Sequence, residues 1–347
     1  MSPVPRVRPV LLCILALVVP PMPPEPAPGV LLPTGRDTPP APSRIAFASR
    51  RDGNWEIYVT DTAGGRQTRL TTRGEQDRFP LWSPDGTRIA FGSQRAGEWE
   101  LWVMRADGTD VRHLASGIVA KGARRWSPDG RRIAFEASRD GNRDVYTVGA
   151  DGRGLTRLTT TPGDDGDPSW SPDGGRIAFA SSRDGNPELY VMRADGSDQT
   201  RLTHDAAADR SPAWSPDGSR IAYVSARDAE RAIYLVRPDG RALERLTVGA
   251  TATNDVPVWS PDGSRIAFQT VRGKDYDLAL VRVGDRARVA LAATPAYDGM
   301  CAWSPDGMRL AFISGREGYD ALYVVDADGG RPRRLTSTPS LDPAWSP

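Results

Sequence analysis

The 347-residue chain has 45 basic and 44 acidic residues, a formal net charge of +1. This balance argues against nucleic-acid binding, which needs a clustered basic surface. Hydrophobic residues make up 39% of the chain, enough for a large core. The sequence has no run of about eighteen apolar residues, so no ordinary transmembrane helix is predicted.

The first element predicted along the chain is an export signal over residues 1–28. Arg6 and Arg8 supply a positive start, and the apolar stretch Val10 to Val19 ends at Pro20. A short apolar core after basic residues is typical of a signal peptide and is too short to cross a bilayer comfortably. Ala27 is a weak cleavage candidate, and an uncleaved membrane anchor is the alternative.

A Pro-rich tether is predicted over residues 29–42. Residues 20–42 contain ten prolines and almost no hydrophobic periodicity, a composition that favours a stiff extended segment. After removal of the signal, Cys301 is the only cysteine left in the chain. No internal disulfide is therefore expected, and Cys301 is interpreted as a small buried residue.

The rest of the chain, residues 43–347, is a repeat of about 44 residues. Each unit reads as four short strands: one ending in Trp-Ser-Pro, a tight Asp-Gly turn, a second strand, a loop, a third strand, another turn and a fourth strand. A period in the forties with this content predicts a β-propeller blade, with the tryptophan packed between blades. The tryptophans are Trp82, Trp126, Trp170, Trp214, Trp259, Trp303 and Trp345.

The two ends of the repeat region complete one blade. Ser43 to Val59 reads as a blade without its first strand, and Leu341 to Pro347 reads as a first strand without its blade. We therefore predict an all-β fold, a seven-bladed β-propeller closed by pairing of the C-terminal strand with the N-terminal blade. Closure removes the exposed sheet edges that an open ring would present.

The repeat W-S-P-D-G-x-R-I-A-F, followed by S-R-D-G-N-x-E-I-Y-V-M and R-L-T, resembles that of TolB-type (WD40-like) β-propellers. Similar repeats form the propeller domains of dipeptidyl and prolyl oligopeptidases and tricorn-like proteases. The resemblance implies a non-catalytic protein-interaction module of the cell envelope or exterior. TolB itself carries an α/β domain ahead of a six-bladed ring, whereas here a tether precedes seven predicted blades.

The sequence contains no catalytic motif of the G-x-S-x-G, H-E-x-x-H or paired C-x-x-C type, and its only histidines are His113 and His204. We therefore predict no catalytic residue, no metal site and no cofactor. Two alternatives remain: a glycan-binding module, and an enzyme acting on a polysaccharide or peptide at the channel mouth, where a carboxylate pair could act.

Because strands alternate in direction, the two faces of the ring can be distinguished. We call the face with the Ser-Pro-Asp-Gly turns the turn face, and the face with the second-to-third-strand loops the long-loop face. An acidic set five residues before the tryptophans, interrupted once by Lys121, is predicted to line the channel entrance on the long-loop face. Asn254 and Ser340 occupy the equivalent position in two other units. The acids are Asp77, Asp165, Asp209 and Asp298.

A recurrent arginine follows the second strand of every unit. We expect these arginines to lie near the acids that open the third strands, Glu56, Glu100, Asp144, Glu188 and Asp277, and ion pairs that brace each blade are the structural interpretation. The alternative interpretation is that the acids at the channel entrance bind a cation, although no compact loop motif supports such a site. The arginines are Arg51, Arg95, Arg139, Arg183, Arg227, Arg272 and Arg316.

Four large aromatic residues break the symmetry of the repeat near the start of the third strand: Trp55, Trp99, Tyr276 and Tyr319. They fall on four consecutive blades of the long-loop face. We predict that this arc and the adjacent acids form a recognition surface, since clustered aromatics mark binding surfaces. The alternative is that each ring covers its own hairpin. The expected partner of this monomer is an envelope or extracellular protein, with a glycan as the alternative.

The export signal generates the first test. Residues 1–28 fused to a reporter that is active only outside the cytoplasm should give activity, because basic residues ahead of a short apolar core direct export. A silent reporter, with the fusion shown intact by immunoblot, would remove the predicted periplasmic or secreted location.

Overall fold

The computed structural model describes residues 43–119, 122–139, 141–227, 231–247, 255–272 and 275–347. The predicted export signal and tether lie outside these residues, as do Lys121 and Asn254. The regular secondary structure of the described residues is entirely β, with 28 strands in seven four-stranded antiparallel sheets. No helix in this part of the chain is long and apolar enough to span a membrane.

Six sheets each use four consecutive strands, and we number these blades 1 to 6 in chain order. Blade 1 contains β4 (Gln76–Trp82), β5 (Arg88–Arg95), β6 (Glu98–Arg105) and β7 (Arg112–Ser116). Blade 2 contains β8 (Arg124–Trp126), β9 (Arg132–Arg139), β10 (Asn142–Gly149) and β11 (Thr156–Arg157). Blade 3 contains β12 (Asp165–Trp170), β13 (Arg176–Ser181), β14 (Glu188–Arg193) and β15 (Thr200–Arg201).

Blades 4 to 6 repeat the same order. Blade 4 contains β16 (Asp209–Trp214), β17 (Ile221–Ser225), β18 (Ala232–Val236) and β19 (Glu244–Arg245). Blade 5 contains β20 (Asp255–Trp259), β21 (Arg265–Arg272), β22 (Asp275–Arg282) and β23 (Arg288–Ala292). Blade 6 contains β24 (Asp298–Trp303), β25 (Arg309–Ser314), β26 (Ala321–Asp326) and β27 (Arg333–Arg334).

Blade 7 joins the two ends of the repeat region, as the sequence predicts. It contains, in sheet order, β28 (Ser340–Trp345), β1 (Arg44–Ser49), β2 (Glu56–Asp61) and β3 (Gln67–Arg69). Ile45 pairs with Trp345 and Ser49 with Ser340, and the Ser346 amide donates to the Arg44 carbonyl at 2.8 Å. The predicted seven-bladed ring and its closure by the C-terminal strand are confirmed.

The second strand of each blade is apolar on both faces because both faces are covered by neighbouring blades. In β9, Phe135 packs with Leu101 and Val103 of blade 1, whereas Ala134 packs with Phe179 of blade 3. These side chains are almost completely buried. The stability of the ring therefore comes from apolar contacts between blades as well as from hydrogen bonds within them.

The recurrent tryptophans lie at these contacts, which confirms their predicted packing role. Most of them donate their indole N–H across the boundary to a carbonyl of the preceding blade. Trp82 donates to Ala344 at 3.2 Å, Trp126 to Leu81 at 3.1 Å and Trp303 to Val258 at 2.9 Å. Several rings are also covered by an arginine of the preceding blade, at 4.9 to 5.7 Å from guanidinium carbon to ring centroid.

The turn after each tryptophan is held by its own side chains. In blade 1 the Ser83 hydroxyl donates to Asp85 at 2.6 Å and accepts the Arg88 amide at 3.0 Å. Gly86 has φ of 66° and donates its amide to the Ser83 carbonyl at 2.9 Å. A residue with a side chain would be strained at this left-handed conformation, which accounts for the invariant Asp-Gly of the repeat units.

Candidate functional site

The four recurrent aspartates are buried, so the prediction that they line the channel entrance is wrong. Asp77 is 2% exposed and the other three are 0% exposed. The strand register places each acid opposite a buried serine of its own second strand. Three of the acids form ion pairs there: Asp165 with Arg183 at 3.2 Å, Asp209 with Arg227 at 3.0 Å and Asp298 with Arg316 at 3.0 Å.

The acids that open the third strands pair with a different arginine from the one expected. Arg69 of the fourth strand bonds Glu56 at 2.7 Å, and Arg201 bonds Glu188 at 2.8 Å. The third-to-fourth-strand register places Arg69 opposite Tyr58 and Arg201 opposite Tyr190, so each arginine lies diagonally across from the acid two residues earlier. This register could not be derived from the repeat spacing. Ion pairs that brace each blade are therefore present. The recurrent arginines pair with the buried aspartates, however, and the third-strand acids pair with arginines of the fourth strand.

Blade 2 departs from the repeat where its innermost strand should begin. Ile118 forms a bridge to Ala137, and the Val119 amide donates to the Glu136 carbonyl at 3.0 Å. The first strand proper starts only at Arg124, which stands where five other blades have proline. The innermost strand of this blade is therefore shorter than those of the other blades.

Glu136 occupies a position where the other blades have Ala, Gly, Val, Gln or Ile. It is 3% exposed, and its carboxylate accepts the amides of Ala123 at 3.1 Å and Asp167 at 2.7 Å. A Cβ at Gly122 would lie 2.9 Å from its Oε2, and one at Gly166 would lie 3.0 Å from its Cδ. Burial, with Asp167 nearby, raises the pKa of Glu136. This carboxylate thus joins the innermost strands of blades 2 and 3.

A cavity of about 280 Å³ lies beside this junction, towards the long-loop end of the channel. We call it the mouth pocket. Several of its residues sit at a β-bulge three positions before the tryptophan, with φ near +55°. Such conformations cost on the order of 1–3 kcal/mol for residues with side chains and concentrate at functional sites. The pocket is lined by Phe79, Pro80, Leu81, Gly122, Ala123, Arg124, Arg125, Asp167, Ser211, Pro212, Asp342 and Pro343.

Charged groups of the pocket are tied together across blades. Arg78 of blade 1 bonds both carboxylate oxygens of Asp342 in blade 7, at 3.0 and 3.2 Å. The Ser211 amide donates to Asp167 of the preceding blade at 3.0 Å. Burial raises the pKa of Asp342, and the adjacent Arg78 opposes that shift. The bulged residues therefore stay in place through contacts between neighbouring blades.

Two of the predicted aromatics, Trp55 and Trp99, contact Arg78 and Phe79, and Phe79 lines the mouth pocket. The Arg78 guanidinium lies 5.3 Å from the Trp55 ring centroid and 4.5 Å from that of Phe79. Phe79 in turn packs on Trp99 with centroids 5.4 Å apart, and Arg124 lies 5.1 Å from the Phe79 ring. We call Trp55, Arg78, Phe79 and Trp99 the aromatic stack. Sequence reasoning missed Phe79, although its departure from the other units at that position was a usable signal.

The other two aromatics are outside this contact network. Tyr276 is 38% exposed and packs on Tyr297, with centroids 5.7 Å apart. Tyr319 is half-buried against the core between blades 5 and 6, and the Arg334 guanidinium donates to its hydroxyl at 3.5 Å. The structure therefore joins Trp55 and Trp99 through the stack but does not join the four aromatics into one contact surface. A binding role for either tyrosine stays a prediction.

The described residues contain no group of three or more His, Cys, Asp or Glu side chains that could hold a metal ion. The site is instead a pocket of mixed charge with an aromatic border. Fold and site together define a seven-bladed β-propeller whose departures from its own repeat gather around one end of the channel.

The family follows from the repeat. A model described as the TolB beta propeller domain matches residues 37–119, 113–209, 168–256 and 254–347. The chain belongs to the TolB β-propeller family. No curated protein sequence matches it.

Solved structures with this fold include TolB proteins and enzymes. TolB from Acinetobacter baumannii is 21% identical, with a TM-score of 0.59 over 88% of this chain and 67% of that one. An oligogalacturonate lyase in complex with manganese is 18% identical, with a TM-score of 0.67 over 82% of this chain and 85% of that one. A prolyl endopeptidase is 13% identical, with a TM-score of 0.63 over 84% and 49%. These similarities establish the fold.

Asp77→Asn is expected to change stability with pH in a defined direction. Burial raises the pKa of Asp77 from 3.8 to about 6, although the Ser93 and Thr71 hydroxyls oppose the shift. The favourable contribution of the protonated acid is fully present below the unfolded pKa and is lost as pH rises through about 6. The free energy of unfolding of Asp77→Asn, relative to that of the wild type, should therefore increase by on the order of 2 kcal/mol between about pH 4 and about pH 7.

Thermal melting at a series of pH values measures this difference, and Asp85→Asn is the control of opposite sign. The Ser83 hydroxyl lowers the pKa of Asp85, so that acid contributes stability above its unfolded pKa and loses it as pH falls. A pH-independent difference between Asp77→Asn and wild type would show that Asp77 is not held in a strongly desolvated site.

Proposed function

We propose that this chain is an exported, non-catalytic binding protein that recognises a protein partner through the mouth pocket and the aromatic stack. The observation that supports this most directly is the contact of the stack with the pocket where blades 7, 1 and 2 depart from the repeat. Aromatic residues and arginine are enriched among the residues that dominate binding energy at protein interfaces.

The charges of the site favour a polypeptide over a neutral glycan. The mouth pocket contains Arg124, Arg125, Asp167 and Asp342, so groups of both signs line it. A neutral sugar would desolvate these groups without offering a countercharge, which is unfavourable. A protein surface supplies both charged and apolar side chains and so matches the pocket and the stack together.

An enzymatic role is the second candidate, suggested by the lyase and endopeptidase structures with this fold. Glu136 and Asp167 are neighbouring carboxylates, and Asp167 lines the mouth pocket. Glu136 accepts two backbone amides and Asp167 accepts the Ser211 amide. These bonds join neighbouring blades, and this structural use of both acids supports binding as the leading proposal.

Replacing either tryptophan of the aromatic stack should weaken partner capture without unfolding the ring. The full chain, immobilised through its N-terminus, is incubated with envelope extract, and retained material is identified by mass spectrometry. Trp55→Ala and Trp99→Ala should each weaken retention by roughly thirtyfold, the effect of losing about 2 kcal/mol from a dominant interface residue. Leu243→Ala, which changes an exposed apolar side chain between β18 and β19 of blade 4, is the control and should retain the partner.

Melting temperatures of all three variants separate binding from folding. If both tryptophan variants lose stability but keep the partner, the stack is scaffold and the proposal fails. Retention of a polysaccharide in place of a protein would favour the glycan-binding alternative. Turnover of retained material by the wild type would support the enzyme instead.

A further inference from the structure

A second departure from the repeat lies between blades 5 and 6, on the long-loop face. Tyr276 is the second residue of β22, and Tyr297 lies in the connection from blade 5 to blade 6. The two residues form a parallel bridge, and their ring centroids are 5.7 Å apart. The Gly315 amide of blade 6 donates to the Tyr297 carbonyl at 2.8 Å. Loops of both blades therefore hold these two residues, which we call the tyrosine pair.

Blades 2 and 3 have charged residues at the equivalent positions. Arg143 and Asp164 form an ion pair there at 3.3 Å. Between blades 5 and 6, Gly299 leaves room for the Gln269 amide, and a Cβ at Gly299 would lie 2.7 Å from the Tyr297 hydroxyl oxygen. Since an ion pair joins blades 2 and 3 at this point, joining two blades does not by itself require a pair of rings.

The exposed apolar surface of the described long-loop face is concentrated at this boundary. Tyr276 is 38% exposed, and Met300, at the bulge that follows Gly299, is 39% exposed. Aromatic residues and methionine are enriched at protein interfaces, so the boundary has the composition of a contact surface. The other large apolar side chains with such exposure in the described ranges lie in turns of the turn face: Val111, Leu155, Leu243 and Met308.

A carboxylate without a countercharge lies beside the tyrosine pair. The Asp320 Oδ1 would lie 3.4 Å from a Cβ at Gly315, and the Tyr297 amide nitrogen would lie 3.7 Å from the same point. In the part of the chain that the structure describes, the Asp320 side chain forms no hydrogen bond or ion pair. Burial raises the pKa of Asp320, as expected for a partly desolvated charge. A bound cation would offset this desolvation.

The long-loop arginines of blade 6 do not supply that cation. Arg316 pairs with Asp298 at 3.0 Å, and Arg334 pairs with Glu317 at 3.7 Å. Guanidinium groups cover other tyrosines of the described residues but neither ring of the tyrosine pair. The boundary thus combines aromatic faces with a negative charge, and no cation from the described residues occupies it.

Three other blades show what such a combination of groups binds. Arg183 lies 4.6 Å from the Tyr190 ring centroid and 3.2 Å from Asp165. Arg227 in blade 4 and Arg316 in blade 6 repeat this arrangement, each with a tyrosine and an aspartate of its own blade. A guanidinium is attracted to the face of an aromatic ring, and its planar fork bonds a carboxylate, so one arginine satisfies both groups.

We propose that the tyrosine pair and Asp320 bind an arginine side chain of a partner protein. The guanidinium stacks on the exposed ring of Tyr276 and bonds the Asp320 carboxylate, and Met300 contacts the apolar stem of the arginine. A lysine ammonium lacks the planar fork that allows both stacking and two parallel hydrogen bonds. A neutral side chain would leave the carboxylate without a countercharge.

This site lies on blades 5 and 6 and contains no residue of the mouth pocket or of the aromatic stack. The inference does not depend on the proposed function, because it is tested with peptides of defined sequence. Trp99→Ala should bind these peptides as the wild type does, so failure of one proposal can be distinguished from failure of the other.

The test uses a capped pentapeptide of glycine and serine with one central arginine, and versions in which citrulline or lysine replaces the arginine. Citrulline is the matched control, since it has nearly the same shape without the charge. Binding to the full chain is measured by NMR titration. We expect saturable binding of the arginine peptide, roughly tenfold weaker binding of the citrulline peptide and an intermediate affinity for the lysine peptide.

Variants of the site separate stacking from simple apolar cover. Tyr276→Leu and Asp320→Asn should each weaken binding of the arginine peptide by roughly tenfold, whereas Tyr276→Phe keeps the ring and should bind as the wild type. Glu317→Gln removes an exposed acid of the same loop and is the control for net charge.

Melting temperatures show which variants are folded, and Asp320→Asn against Glu317→Gln decides the question if Tyr276→Leu is not. Equal binding of the arginine and citrulline peptides, equal binding of the arginine and lysine peptides, unchanged affinity in a folded Tyr276→Leu, or equal effects of Asp320→Asn and Glu317→Gln would each overturn the proposal.

Discussion

The contact on which the rest of the structure depends is the packing of each recurrent tryptophan between two blades. A four-stranded sheet of this size cannot cover both of its faces, so a blade is stable only against its neighbours. The tryptophan provides apolar area at that boundary, and most of the indole N–H groups bond a carbonyl of the preceding blade. The same residue ends the innermost strand, so its position also sets where the channel wall and the turn face begin. Closure by Trp345 extends this boundary to blade 7, where Trp345 packs with Phe47 and Ile313.

A ring held by one repeated contact constrains every blade to the same inner geometry, so a departure from the repeat needs compensation nearby. Blade 2 shows this. Glu136 brings a carboxylate into the boundary with blade 3, Gly122 and Gly166 leave room for it, and two backbone amides satisfy it. Blade 5 contains a related arrangement, in which the Gln269 amide donates to the Asp298 carbonyl at 3.4 Å and Gly299 leaves it room. Proteins tend to break local rules at functional sites, and in blade 2 the departure opens the mouth pocket and places Arg124 and Arg125 on the channel wall.

The sequence predicts the fold well because a repeat reports the same information many times. Strand pattern, turn chemistry, blade number and the closing strand are all readable from the spacing of Trp-Ser-Pro. The candidate site is harder to predict from the sequence, because the strand register determines which side chains contact one another. Both Asp209 and Glu188 recur in the repeat, but only the structure shows that Arg227 pairs with the first and Arg201 with the second. Burial of the aspartates follows from the same register. Phe79 and Glu136 could have been found as departures from the consensus, whereas their contacts with Trp99 and Asp167 join different strands or blades and have no local signal.

The central claim is that blade 2 departs from the repeat for binding and not for folding. It is tested most directly by restoring the consensus of the channel wall with Arg124→Pro and Arg125→Ala in one chain, while Glu136 is kept because it accepts two buried backbone amides. The account predicts a melting temperature close to that of the wild type, together with loss of partner capture. A folded double variant that captures the partner as the wild type does, or a variant that no longer folds, would contradict it.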